Sequence, residues 1–212
     1  MTLVVPAFGL IPPPDAIALA VEALGDGQVI ALPTDTVYGL AVDPFRPGAT
    51  DRLFSAKRRP ASVELPVLVD GLESAAALVS SLPGPAHRLI DAYWPGAMTV
   101  VVDRGTGASA GLELGGDGAT IGLRSPAHPV ALGLCRAVGA LATSSANLHG
   151  EPTPSTAAVL AELFDGVVAV VLDAGPAHGA PSTVVRCGPD GEVTLLREGR
   201  IAWDEVRTVA TG

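Results

Sequence analysis

Residues 15–40 read DAIALAVEALGDGQVIALPTDTVYGL, and this stretch decides the class of fold. Its first turns put Ile17, Ala20, Val21 and Leu24 at i, i+3, i+4 and i+7, one face of a helix, behind the acidic Asp15. Val29–Leu32 is a short, wholly apolar run ended by Pro33, which suits a buried strand. Pro33–Gly39 follows as a polar loop. Helix, buried strand and hydroxyl-bearing loop in succession form the opening of an α/β unit.

The alternation continues outward. Thr50 can cap a helix that carries Leu53 and Phe54 and delivers Lys57-Arg58-Arg59 at its C-terminal end, before Pro60. Val67–Val69 reads as a strand, 72–93 as one or two helices stopped by Trp94-Pro95-Gly96, and Met98–Val102 as a strand. Residues 104–118 are a glycine-rich loop or linker, by composition the most flexible stretch. Thr120–Leu123 is a strand, Pro129–Val138 a helix behind His128, and Leu141–Ala142 a short strand running into Thr143–Asn147. Thr156–Leu163 is a helix and Val167–Leu172 a buried strand. Thr183–Arg186 and Val193–Arg197 make a closing hairpin, and a last short helix lies near 203–209. The pattern predicts an α/β fold: a single-domain, open, twisted sheet of mixed parallel and antiparallel strands flanked by helices, with sites in loops at strand ends.

Composition narrows the function. The chain has 212 residues, 48% hydrophobic and 17% charged, so it is not disordered and can bury a core without disulfides or a metal. A formal charge of −9 excludes a general electrostatic clamp on nucleic acid and leaves room only for a local basic patch. Cys135 and Cys187 form no CxxC pair, which points to a reducing compartment. The N-terminus lacks a basic n-region and no apolar window is long enough to span a membrane, so a soluble, cytoplasmic protein is expected. There is no Walker A, GxSxG or HExxH motif, and His87, His128, His149 and His178 have no metal-ligand spacing, so no protein-held metal is expected.

Two features call for a ligand. The 13 basic residues include one lysine, Lys57, inside the densest basic run. That run reads either as a solvated helix end or as an ammonium beside guanidinium forks, suited to phosphate oxygens. Thr34-Asp35-Thr36, Arg124, Thr143–Asn147, Ser182-Thr183 and Arg197 stand just after or inside strands. Each reads singly as turn or cap chemistry; together they offer hydroxyls and backbone N–H groups to an anionic or zwitterionic ligand.

These segments, in this order, resemble the YrdC family of threonylcarbamoyl-AMP synthases. The resemblance rests on Pro33-Thr-Asp-Thr-Val-Tyr-Gly-Leu40, on Lys57-Arg-Arg-Pro60 as a Lys-x-Arg-Pro element, and on Trp94-Pro-Gly96. Arg124-Ser-Pro-Ala-His-Pro129, Ser145-Ala-Asn147 with Gly150-Glu-Pro-Thr-Pro154, Ser182-Thr183 and Leu195-Leu-Arg197 complete it. The match runs from about 15 to 201, so the resemblance implies a YrdC-like domain over 15–201, an N-terminal extension at 1–14 and a C-terminal tail at 202–212. A C-terminal domain found in larger relatives is not expected.

The resemblance implies an L-threonylcarbamoyladenylate synthase, a nucleotidyltransferase that joins threonine, bicarbonate and ATP with release of pyrophosphate. ATP is then a substrate, with Mg²⁺, and the product goes to a tRNA threonylcarbamoyl transferase that modifies tRNA. By position Lys57 and Arg59 match the phosphate-binding, catalytic element. Ser145, Asn147, Thr153 and Arg197 match further ATP contacts, and Thr36, Arg124, Thr143 and Ser182 match positions around threonine. Two other readings are kept: a related carbamoyl-adenylate-forming enzyme with a different acceptor, and a non-catalytic double-stranded RNA-binding module, against which the net charge argues. Three positions depart from the family pattern: Leu65 for an asparagine, Asp70 for a histidine expected near threonine, and Pro181 for a glutamate. Asp70 is therefore expected to bring a carboxylate to the amino-acid site.

Overall fold

In chain order the elements are β1 (Leu3–Pro6), α1 (Pro14–Gly25), β2 (Val29–Leu32), β3 (Gly39–Val42), α2 (Ala49–Lys57), β4 (Val67–Leu68), α3 (Leu72–Leu78) and α4 (Gly84–Tyr93). They continue as β5 (Met98–Asp103), β6 (Thr120–Arg124), α5 (Pro129–Val138), β7 (Leu141–Ser145) and α6 (Ala157–Leu163). The last are β8 (Val168–Asp173), β9 (Thr183–Cys187), β10 (Val193–Arg197) and α7 (Trp203–Thr211). The computed structural model describes residues 1–58, 60–105, 109 and 111–212. Arg59, expected in the site, lies outside the described residues.

Local chemistry accounts for the ends of several elements. Pro14 opens α1 at its first position, where a missing N–H costs nothing, and Asp15 complements the dipole. α5 begins the same way at Pro129, with His128 Nδ1 accepting from Val130 N at 3.3 Å. The cap expected from Thr50 is not made. Gly48 takes the N-cap position in a left-handed conformation, φ 73°, and Thr50 lies inside α2 with its side chain buried. The loop expected over Pro33–Gly39 stops one residue early, because Gly39–Val42 pairs with β2 as β3. Its four apolar residues are too few to show a period.

Among the described residues the strands form one sheet in the order β1-β8-β2-β3-β7-β4-β6-β5-β9-β10, mixed in direction as expected. β1 runs parallel to β8, so residues 3–6 form one edge. The β9–β10 hairpin forms the other, with β9 parallel to β5. Alternate residues divide between two apolar clusters. On one face Ala31, Leu40, Val67, Val100, Leu123 and Val185 pack beneath Leu53, Leu89, Leu160 and Val206. On the other, Ile30, Leu32, Ala41, Leu141 and Val170 pack beneath Ala20 and Leu24 of α1 and Val130 and Leu134 of α5.

α1 and α5 cover only part of that second face. Over β6, β5 and β9 its residues, among them Thr99, Val101, Gly122 and Val184, line a cavity instead. The glycine-rich stretch 104–118 is pinned rather than loose at its described residues. Leu112 and Leu114 are buried, Leu114 O accepts from Leu65 N at 2.8 Å, and Ser109 Oγ donates to Leu78 O.

Candidate functional site

The cavity has a volume of about 790 Å³, within the range that holds small-molecule ligands. Thr36, Arg124, Thr143, Ser182, Ser145, Asn147, Thr153 and Arg197 all line it. Eight residues scattered over the sequence therefore meet in one space.

Arg124 stands at one end of the floor. Its Nε donates to Gly96 O at 2.9 Å, Nη1 to Thr36 Oγ1 at 3.0 Å and Nη2 to Asp35 Oδ1 at 2.7 Å. Those bonds use three of the five guanidinium N–H groups. Burial pulls the Arg124 pKa down, and Asp35 opposes that shift. Asp35 Oδ1 also accepts from Ala127 N at 2.9 Å, so one carboxylate oxygen ties the arginine to the chain leading into α5. The sequence alone gives Asp35 no role; its only signal there is its place between Thr34 and Thr36, whose hydroxyls meet at 2.9 Å.

Ser182 extends this end. Its Oγ meets Thr99 Oγ1 at 2.9 Å, and Arg197 donates to Ser182 O from Nε at 3.1 Å and Nη2 at 2.9 Å. Thr143 is held by Pro66 O, which accepts from Thr143 N at 2.8 Å and Oγ1 at 3.3 Å. The segment 174–182 closes on this end. Gly175 O accepts from the buried Tyr38 hydroxyl at 2.7 Å, and Gly179 N donates to Thr36 O at 2.9 Å. Burial pushes the Tyr38 hydroxyl up to about 12, so it stays a neutral donor. Gly179 is required sterically, since a Cβ there would stand 2.3 Å from Thr36 O.

The turn 145–153 forms another wall, with Asn147 at its centre. Asn147 Oδ1 accepts from Ser145 Oγ and from Thr153 Oγ1 at 3.3 Å, while Nδ2 donates to Leu148 O at 2.7 Å and Glu151 O at 2.6 Å. Lys57 lies behind this turn and is not among the cavity-lining residues. It is 1% exposed, and its Nζ donates to Ser145 O, to Asn147 O at 2.6 Å and to Asn147 Oδ1 at 3.3 Å. The lone lysine is thus neither a solvated helix end nor an ammonium open to the cavity. α2 delivers it to the inside of the turn, and the backbone carbonyls there take its hydrogen bonds.

The departures from the family pattern fall elsewhere than expected. Asp70 does not line the cavity; its carboxylate accepts from the Ser74 hydroxyl one turn along α3, so the expected carboxylate at the amino-acid end is absent. Leu65 is buried in the core. Pro181 lines the cavity. Glu64, to which the sequence drew no attention, lines it too and accepts from Thr120 Oγ1 at 2.9 Å.

A cationic end with hydroxyls, an internally hydrogen-bonded Ser–Asn turn and a bare stretch of mixed sheet between them define an α/β protein built to bind small polar ligands on its sheet. The family model described as telomere recombination, Sua5/YciO/YrdC, matches residues 22–199, and the chain belongs to this family. A relative from Mycobacterium tuberculosis (strain ATCC 25618 / H37Rv) is 38% identical over 193 residues, 91% of this chain and 88% of the relative. The threonylcarbamoyl-AMP synthase of Bacillus subtilis (strain 168) is 36% identical over 200 residues, 91% of this chain. The crystal structure of Pyrococcus abyssi Sua5 complexed with L-threonine superposes with a TM-score of 0.87 at 29% identity over 98% of this chain. The chain spans 56% and 61% of the lengths of these last two relatives.

Proposed function

We propose that the chain is a threonylcarbamoyl-AMP synthase: it joins L-threonine, bicarbonate and ATP into threonylcarbamoyl-AMP, releasing pyrophosphate and water. The observation that carries this reading is the meeting of Arg124, Thr36, Thr143 and Ser182 with the 145–153 turn and Arg197 in one cavity. Arg124 and the hydroxyls receive the zwitterion; Ser145, Asn147, Thr153 and Arg197 receive the nucleotide, and Arg59 adds a phosphate-binding cation. Lys57 acts from behind, fixing the turn.

The chemistry asks for positioning more than for covalent work. The threonine nitrogen gains a carboxyl group from bicarbonate, and a carbamate oxygen attacks the α-phosphorus while the bond to pyrophosphate breaks. Preorganised donors that neutralise the departing charge lower this barrier. ATP enters as its Mg²⁺ complex. Among the described residues no group of three or more His, Cys, Asp or Glu side chains gathers to hold a metal, so phosphate oxygens and water would carry the ion.

The product supplies a tRNA threonylcarbamoyl transferase, and a cytoplasmic location follows from that role. No helix among the described residues is long and apolar enough to cross a membrane. RNA binding by this chain itself is weak at a charge of −9. The test is pyrophosphate release with ATP, Mg²⁺ and bicarbonate, with and without threonine, and the product mass. Release that requires threonine and yields threonylcarbamoyl-AMP is expected; release indifferent to threonine sinks the reading and favours another acceptor.

A further inference from the structure

A row of four residues crosses the cavity floor from strand to strand. Continued by one pair, the β5–β6 register sets Thr99 beside Arg124. The β5–β9 register sets Thr99 beside Val184, and Val184 in turn faces Arg197 of β10. All four line the cavity. With neighbouring strands about 4.8 Å apart, Thr99 lies one strand from Arg124 and two from Arg197.

Positive charge is in excess here. Arg124 has Asp35 as its carboxylate partner, whereas Arg197 and Arg200 make no ion pair among the described residues. Burial is the main cause that lowers the Arg124 pKa and Asp35 opposes it, but the like charges of Arg197 and Arg200 lower it further. An anion held between Arg124 and Arg197 relieves that repulsion.

Hydrogen bonding singles out Thr99 within the row. Arg197 spends Nε and Nη2 on Ser182, with Nη2 reaching Ser182 Oγ at 3.1 Å. A hydroxyl that accepts from a guanidinium becomes a stronger donor, and its hydrogen turns away from the cation. Ser182 therefore donates across the 2.9 Å to Thr99 Oγ1. The Thr99 hydroxyl hydrogen is then left without an acceptor among the described residues, in a residue only 4% exposed. Such a hydrogen calls for a partner from a ligand.

Threonine has its carboxylate at Arg124, and the nucleotide has the 145–153 turn and Arg197. The remaining substrate is bicarbonate, a small anion whose oxygens accept hydrogen bonds. Its carbon must come within reach of the threonine nitrogen, and a carbamate oxygen must then face the α-phosphorus. Thr99 stands between the arginines assigned to the two larger substrates, which suits both demands.

We propose that Thr99 binds bicarbonate, donating its hydroxyl hydrogen to one bicarbonate oxygen in the positive field between Arg124 and Arg197. This rests on the reading of the chain as a threonylcarbamoyl-AMP synthase. Steady-state pyrophosphate release tests it on the full chain and on Thr99→Val and Thr99→Ser. Each substrate is varied in turn with the others saturating, in buffer freed of dissolved carbon dioxide. Valine keeps the shape of the side chain and removes the hydroxyl; serine keeps the hydroxyl.

Thr99→Val is expected to raise KM for bicarbonate about tenfold or more, the loss of one bond to a charged acceptor. KM for ATP and for threonine should stay within about twofold of the parent, with kcat recovered at saturating bicarbonate. Thr99→Ser should hold KM for bicarbonate within about threefold. An equal rise in both variants overturns the proposal, because the methyl group and not the hydroxyl would then matter. A rise in KM for threonine or ATP as large as that for bicarbonate also overturns it, as does a kcat that stays low in Thr99→Val at every bicarbonate concentration. A parent that depends on bicarbonate beside a Thr99→Val variant with the parent's KM for it sinks this proposal alone. Pyrophosphate release by the parent that ignores bicarbonate or threonine sinks the synthase reading beneath it.

Discussion

Replacing Lys57 with methionine keeps the side chain as far as Cε and removes its ammonium. The loss does not strand every acceptor. Asn147 Oδ1 keeps the hydroxyls of Ser145 and Thr153, and Ser145 O keeps Asn147 N at 2.9 Å. Asn147 O loses the donor that held it at 2.6 Å. An orphaned buried carbonyl costs about 1–3 kcal/mol, and each bond from a charged donor contributes about 1.5–3 kcal/mol before the relief of ammonium desolvation is counted. A net cost of about 3 kcal/mol follows, or a melting temperature lower by about 6–12 °C in a chain of this size. The turn it holds presents Ser145 and Asn147, so ATP affinity should fall with stability, by about tenfold or more. Scanning calorimetry and an ATP titration on Lys57→Met measure both. A variant that melts with the parent yet releases no pyrophosphate would refute this reasoning, because the ammonium would then be acting on phosphate and not on the turn.

Four further outcomes are expected. Arg124→Gln leaves the half-buried Asp35 with Ala127 N as its described partner; it should cost about 1–3 kcal/mol in stability and raise KM for threonine while leaving KM for ATP in place, and an equal rise in both would contradict the assignment. Asp70→Asn should change threonine affinity by no more than about twofold, since its carboxylate serves Ser74; a larger change in steady-state KM would return it to the site. Gly179→Ala forces a Cβ to within 2.3 Å of Thr36 O, so the segment 174–182 must shift and threonine binding weaken, seen as a raised KM; unchanged kinetics would argue that this segment does not shape the site. Burial holds His128 below the ordinary histidine pKa, so the unfolded chain takes up the proton first. Its stabilising share is present above about pH 6.5 and drains as pH falls through the folded value, so the melting-temperature gap between the parent and His128→Asn should narrow from pH 7.5 to 5; a constant gap contradicts it.

Elements with a clear period were legible before the structure. α1, α5 and the β9–β10 hairpin lie within a residue or two of their expected places, because amphipathic spacing, a proline at a helix start and a Gly-Pro-Asp-Gly turn act locally. β1 and β3 were not, since four apolar residues carry no period and become strands only by pairing with β8 and with β2 and β7. The same limit applied at the site. The hydroxyl loops and arginines stood out by type, but Glu64, just before a strand, and Thr99, inside one, look like any polar residues there until the sheet sets them beside Thr120 and Ser182.

By itself the amino-acid order determined the α/β class, the family and eight of the polar residues that line the cavity, since residue type and spacing along one chain are local facts. Which way each side chain faces is not local. It took the sheet to turn Asp70 toward Ser74, to bury the lone lysine behind the Ser145–Asn147 turn, and to leave β6, β5 and β9 uncovered where α1 and α5 end. Hydrogen-bond partners for a buried charge are chosen among groups distant in sequence, and only the packed chain supplies them.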